Sequence, residues 1–271
     1  MKCNTLIILA AGASSRMKQS LGNTEDFKGK ALLPLGKEQK PVIYYVLQNA
    51  QKAAFTQVIL VVGKDAEAFK DYLKNNPISG LKLSFAFQNI PNGREKPLGT
   101  ADAVFQTMEQ YPDLKNKVFA VCNTDNLYSV QALKLLRHET SPHAFISYDR
   151  DGLDFPAERI RSFALLVQNP EGILQDLVEK PSEAIAEAYK DAKGVLRVSM
   201  NLWKFNGKEA FPFLQDCPLH PTRLEKELPY AVLTMVQAGI SFQGIPIKEH
   251  VPDLTSKEDI GKVVNYLKNM N

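Results

Sequence analysis

The chain has 271 residues, 44% of them hydrophobic, enough to bury a full core as one large α/β domain or two small ones. Lys and Arg number 33 against 30 Asp and Glu, a net charge of +3, which argues against nucleic acid or an anionic membrane as a partner. No apolar stretch approaches the length of a membrane span. Cys3, Cys122 and Cys217 are scattered without CxxC spacing, and read as free thiols of a soluble cytoplasmic protein.

Thr5 to Ala10 reads as a buried strand, and LIILAAGASSRM (Leu6 to Met17) then breaks into small residues before Arg16. Small residues let a backbone approach a ligand closely, and the N–H groups at a helix start attract anions, so this loop is a candidate phosphate site. It is neither a P-loop nor a GxGxxG turn, and taken alone an ordinary strand-to-helix turn with a surface arginine is the simpler reading. SLGNTEDFKG (Ser20 to Gly29) is polar, carries two glycines and lacks periodicity, and is expected to be a mobile loop. GKALLPLG sets Lys30 before an apolar segment, and Pro41 opens the helix PVIYYVLQNAQKAAF at a tolerated first position.

Val58 to Gly63 is the next strand, followed by the helical DAEAFKDYLKNN, the strand LKLSFAFQ, the helix TADAVFQTMEQY and the strand KVFAVCNTD. Such alternation implies a mainly parallel sheet covered on both faces, with ligands at the carboxyl ends of its strands. The loop after Ala10, the segment after Gln88 and NTDN (Asn123 to Asn126) all fall on that edge. In the second half, HAFISYD, SFALLVQN, ILQDLVEK and VLRVSMNLWKF read as strands with short turns, before helices return. YDRDGLD clusters Asp149, Asp151 and Asp154 but lacks the closing glutamate of a calcium loop, so a turn is the simpler reading. His138, His143, His220 and His250 show no metal-ligand pairing.

Leu9-Ala10-Ala11-Gly12, Arg16, Lys30-Ala31-Leu32-Leu33-Pro34-Leu35 and Lys40-Pro41 together resemble the signature of the nucleotidyltransferases that make nucleotide-sugars from sugar 1-phosphates: LAAGxGxR, a loop, then PKxLLPLxGKP. Ser14 or Ser15 stands where a second glycine is common, and Gly29 replaces the proline before the lysine. FQNIPNGREKPLGTADAV is similar to the family's base-reading element, with Gln88, Leu98, Gly99 and Thr100 at the matching positions. Gly99 frees the backbone to approach a planar base, and the Gln88 amide can both donate and accept, with a lean toward UTP or dTTP. Thr100 also fits as a helix N-cap. Asp125 in VFAVCNTDNLYS matches the aspartate that holds Mg2+. A hard cation needs more than one carboxylate, and Asp253 in VPDLTSKEDI falls on the second, with helix capping as its alternative. LVEKPSE matches the EKP motif, which implies Glu179 on sugar hydroxyls and Lys180 on the sugar phosphate. Asn201 in VSMNLWKF stands where the family touches sugar, and Trp203 reads as core.

The resemblance implies one domain over residues 1–271, with a nucleotide-binding half over about 1–128 and a sugar-binding half over about 129–271. Its fold class is α/β: a Rossmann-like mixed, mainly parallel sheet flanked by helices on both faces, of the nucleotide-diphospho-sugar transferase type. The implied activity transfers a nucleoside monophosphate from a nucleoside triphosphate to a sugar 1-phosphate and releases pyrophosphate, with Mg2+ as cofactor. Arg16, Lys30 and Lys180 are the implied catalytic cations. Leu9, Ala10, Ala11, Gly12, Gln88, Gly99 and Thr100 are expected on the nucleotide, Glu179 and Asn201 on the sugar, and Asp125 and Asp253 on the metal. A homo-oligomer is admissible. Two alternatives stand beside this reading: a cytidylyltransferase for a small alcohol phosphate, which shares the opening loop but usually lacks EKP, and a catalytically silent nucleotide-sensing or assembly subunit of the same fold, favoured by the altered segment around Asp253.

Overall fold

The computed structural model describes residues 2–12, 14–22 and 29–269, and its first half alternates strand and helix as the apolar runs predict. In chain order it contains β1 (Thr5–Leu9), α1 (Ser15–Ser20), a short hairpin of β2 (Pro34–Leu35) and β3 (Lys40–Pro41), α2 (Val42–Lys52), β4 (Gln57–Val62), α3 (Ala66–Asn75), β5 (Lys82–Phe87), α4 (Thr100–Gln110) and β6 (Val118–Asn123). Most of the segment expected to be a mobile loop, residues 23–28, lies outside the described residues. The second half continues with α5 (Val130–His138), β7 (Ala144–Asp149), α6 (Ala157–Arg161), β8 (Leu165–Gln168), β9 (Leu174–Val178), α7 (Glu183–Glu187), β10 (Arg197–Val198), β11 (Trp203–Asn206), α8 (Gly207–Gln215), α9 (Leu228–Gln237), β12 (Gln243–Ile247) and α10 (Lys257–Asn269).

Among the described residues, one ten-stranded sheet has the order β5-β4-β1-β6-β11-β7-β10-β8-β9, with β12 paired to β7. The parallel ladders β5-β4, β4-β1, β1-β6 and β12-β7 are the long ones, whereas the antiparallel ladders of the second half are shorter. The mixed, mainly parallel sheet is therefore as expected. Strand period two splits its apolar residues between two cores. Leu6, Ile8, Val58, Leu60, Ala120 and Cys122 join α2, α3 and α5 on one face. Ile7, Ile59, Val61, Phe119 and Val121 join α4, α8 and α9 on the other. Cys3, Cys122 and Cys217 are all buried and unpaired, and burial pushes the Cys3 thiol up to about 12.

Three local expectations change. Pro41 is the N-cap of α2 rather than its first helical residue. VLRVSMNLWKF forms two strands, because Asn201 takes a left-handed φ of 56° that turns the chain between β10 and β11. YDRDGLD does turn as expected: Asp149 ends β7 by accepting the Asp151 N–H at 2.9 Å, and a 3-10 turn follows over Arg150–Gly152. Thr100 begins α4 without capping it: Gly99 is the N-cap, and the Thr100 hydroxyl instead accepts the Leu228 N–H at 2.8 Å, where α9 starts. Trp203 is fully buried against Phe145, as its reading as core required.

Candidate active site

The carboxyl ends of β1, β4 and β6 open on one edge. There a cavity of about 190 Å³ is lined by Leu9, Gly12, Lys30, Asp65, Thr100 and Asp125, among others. A second cavity, of about 310 Å³, shares Leu9, Gly12 and Thr100 with it and extends past Ala11, Gln88 and Gly99 to Asn201, Glu225 and Glu227. The two adjoin at those three residues and together make up the cleft. Its floor is held by the main chain: the Leu9 carbonyl accepts from both the N–H and the hydroxyl of Thr124, at 3.1 and 3.0 Å, and Ala10 N donates to the Val61 carbonyl at 2.8 Å. Ser14, at φ 52°, occupies the left-handed conformation that favours glycine, so of Ser14 and Ser15 it is Ser14 that suits the place of the expected second glycine. Gly29, at φ 93°, takes an angle closed to the proline it replaces.

Lys30 reaches across to pair with Asp125 Oδ2. Asp253 is brought beside Asp125 by main-chain bonds, Leu254 N to the Asp125 carbonyl at 2.9 Å and Leu127 N to the Pro252 carbonyl at 2.8 Å. Burial, and the Asp125 charge after it, push the Asp253 carboxyl above its ordinary range. Asp253 is no helix cap. Asp259 does that work for α10, accepting from Thr255 N at 3.0 Å and Ser256 N at 2.8 Å. Arg159 ties the two together, donating to Asp253 Oδ2 and to Asp259 Oδ1 at 2.6 Å each.

At the other end of the cleft, Gly99 has φ 121°, and any Cβ there would run into the Lys226 backbone. The contact is deliberate geometry: Lys226 N donates to the Leu98 carbonyl at 2.6 Å, and the Lys226 carbonyl accepts from Ala101 N at 2.9 Å. Residues 218–228 thus form a strap along the LGT turn. On the strap, Arg223 Nη2 donates to both Glu179 oxygens at 3.0 Å and to Glu227 at 2.6 Å. His220 Nε2 lies 3.6 Å from Glu179. Glu179, His220 and Glu227 have ligand atoms within 4.8 Å of one another, but the Arg223 guanidinium already supplies the positive charge between the two carboxylates.

The structure therefore gathers Leu9, Ala10, Ala11, Gly12, Lys30, Gln88, Gly99, Thr100, Asn201 and Asp125 on the cleft, with Asp253 beside Asp125. Arg16 and Lys180 are exposed and do not line either cavity, and Glu179 is engaged by the strap. Sequence reasoning missed Asp65, Lys96, Arg159, Glu225 and Glu227. Asp65 carried one usable signal, since it follows Gly63 just past the carboxyl end of β4.

Residues 5–268 match the nucleotidyl transferase family. The chain belongs to that family. The bifunctional protein GlmU of Staphylococcus epidermidis is 26% identical to it over 234 residues, 86% of this chain and 45% of that protein. GlmU of Staphylococcus haemolyticus is 26% identical over 237 residues, 87% and 46% of the two chains. The chain thus spans about half the length of the curated relatives it matches. In fold it is similar to a UDP-glucose pyrophosphorylase solved with UDP-glucose, with a TM-score of 0.73 and 19% identity over 99% of this chain and 100% of that one. No helix among the described residues is long and apolar enough to cross a membrane.

Proposed function

We propose that the chain transfers a nucleoside monophosphate from a nucleoside triphosphate to a sugar 1-phosphate, forming a nucleotide-sugar and pyrophosphate. One observation carries this reading: Asp125, Lys30 and the Gly12 loop line one end of a cleft whose other end is lined by Gln88 and Asn201, and main-chain bonds set Asp253 beside Asp125. A Cβ on Gly12 would meet nothing within 4 Å, so the loop has open space beside it in the cleft. In this reading a sugar-phosphate oxygen attacks the α-phosphorus, the bond from that phosphorus to the bridging oxygen breaks, and pyrophosphate leaves, with no protein nucleophile. Lys30, Arg16 and Lys180 neutralise the charge on the phosphates, and Glu179 and Asn201 receive the sugar. Nucleotide is assigned to the half over about 1–128 and sugar to the half over about 129–271.

Asp125 and Asp253 are neighbouring carboxylates set side by side by main-chain bonds, a donor set that suits a hard divalent cation, which would share Asp125 with Lys30 and Asp253 with Arg159. Asp125 and Asp253 would hold Mg2+, which when bound supplies charge neutralisation at phosphate oxygens. That placement of Asp253 counts against the silent subunit, whose support was the altered segment around it. The three buried, unpaired thiols support a cytoplasmic setting. The test is pyrophosphate release from each nucleoside triphosphate with Mg2+ and a panel of sugar 1-phosphates and small alcohol phosphates. Release with a sugar phosphate is expected. Release only with an alcohol phosphate selects the cytidylyltransferase alternative, and nucleotide binding without release from any pair selects the silent subunit.

A further inference from the structure

We propose that Asp102 selects the nucleobase by locking the Gln88 amide with its oxygen outward, so that the cleft takes a base presenting a ring N–H, as uracil and thymine do, and rejects one presenting a bare ring nitrogen, as cytosine does. The proposal rests on the nucleotidyl-transfer reading above and adds to it a buried residue that lines neither cavity. An amide offers two hydrogens on one side and an acceptor on the other, and its neighbours decide which faces a ligand. Gln88 Nε2 donates to the Gly99 carbonyl and to Asp102 Oδ2, both at 2.8 Å. Both partners are acceptors, so reversing the amide would press its oxygen against two others.

A second anchor enforces the same polarity. The Asn89 main-chain N–H, which can only donate, reaches Gln106 Oε1 at 2.8 Å, and this turns Gln106 Nε2 toward Asp102 Oδ2 at 2.9 Å. Gln110 holds the preceding residue by both main-chain groups, giving its Nε2 to the Phe87 carbonyl and taking the Phe87 N–H, each at 2.8 Å. The end of β5 that carries Gln88 is therefore fixed on α4, and Asp102 is buried beneath it, away from competing water. With both hydrogens used, the oxygen is the amide's open position, on a side chain that lines the cleft. Uracil and thymine meet an acceptor with N3–H, and guanine with N1–H. Cytosine, a ring of the same size as uracil, brings a lone pair at N3, so two acceptors face each other.

Calorimetric titration of the full chain with the Mg2+ salts of UTP, dTTP, CTP, GTP and ATP tests this without requiring turnover. UTP is expected to bind about 50-fold more tightly than CTP, the scale that one unmatched buried acceptor imposes. Asp102→Ala should reduce that ratio to about fivefold or less, because one of the two acceptors holding the amide is gone. Asp102→Asn keeps an oxygen that can accept, and should hold the ratio within about threefold of the wild-type value. Gln88→Met deletes the outward acceptor and gives a second route to the same loss if Asp102→Ala does not fold. Equal wild-type affinity for UTP and CTP overturns the proposal, as does an unchanged ratio in a folded Asp102→Ala or Gln88→Met protein. Binding of some nucleotide without this preference leaves the transferase reading standing, whereas binding of none of the five sinks both.

Discussion

Along the floor of the cleft, from Leu9 to Asp125, the polar groups are placed by main-chain bonds between parallel strands, whereas along its wall, from Glu179 to Glu227, they are placed by one another. The floor inherits its geometry from the register that sets Leu9 beside Val61 and Asn123. The wall is an ion-pair network in which Arg223 joins Glu179 on the strand side to Glu227 on the strap. A floor side chain can thus be removed without disturbing the scaffold under it. A wall side chain leaves its charged partners unbalanced when it goes. The difference predicts that floor substitutions separate chemistry from stability, and that wall substitutions act on how one substrate is held.

The largest expected effect is at Asp125. Asp125→Ala should lower turnover by at least about a thousandfold, because the proposed cation and Lys30 both lose their shared carboxylate. Urea unfolding should shift by no more than about 1 kcal/mol, since the Lys30 pair is partly solvated and the loop is held by the main chain. Full activity in the variant, or in wild-type enzyme with excess chelator, breaks the metal assignment. Gly99→Ala comes next, as it strikes a place where floor and strap touch backbone to backbone. A Cβ there collides with Lys226 at a φ that side chains avoid, so a loss of about 3 kcal/mol in urea unfolding is expected. Wild-type stability in that variant would mean that the strap is not seated as described.

The same contrast explains what was legible in the sequence. The floor could be read because buried parallel strands are continuous apolar runs and because the proposed phosphate loop calls for small residues at fixed places, Gly12 and Ser14 among them. The wall could not, since no local pattern announces that Arg223 will meet a glutamate forty-four residues earlier. Arg159 and Asp253 are likewise joined only by the fold, at 2.6 Å across ninety-four residues. Where the reading did slip, at Asn201 and Thr100, a residue followed tertiary demands over local propensity: Asn201 breaks an apolar strand pattern to face the cleft, and Thr100 gives its hydroxyl to α9 instead of its own helix.

A smaller effect is expected at Glu179, and it tests which substrate the wall holds. Glu179→Ala should raise the apparent KM for the sugar phosphate about tenfold, the cost of losing hydrogen bonds to a charged group, and change the KM for nucleotide by no more than about twofold. Steady-state kinetics with each substrate varied in turn makes the distinction. A rise confined to the nucleotide KM would put the base, not the sugar, against the strap.

The smallest effect concerns pH, and it asks whether the second half's reliance on side-chain pairs reaches beyond the cleft. His143, at the start of β7, is buried, with Nε2 2.6 Å from Glu209. Desolvation depresses its pKa, with Glu209 opposing and Lys204 assisting, so the folded protein holds the ring neutral below the value of about 6.5 expected of an unfolded chain. Where a folded pKa is depressed, the unfolded chain binds the extra proton as pH falls. The stabilisation from neutral His143 is therefore complete above about pH 6.5 and is lost as pH falls toward the folded value. His143→Gln removes this dependence while leaving other groups, such as Glu249 and His250, to titrate alike in both proteins. The Tm advantage of wild type over His143→Gln should accordingly be greatest near pH 7.5 and shrink by pH 5.5. An advantage that grows on acidification would mean that Glu209 keeps His143 protonated, and that this end of the sheet is held by an ion pair in the manner of the wall.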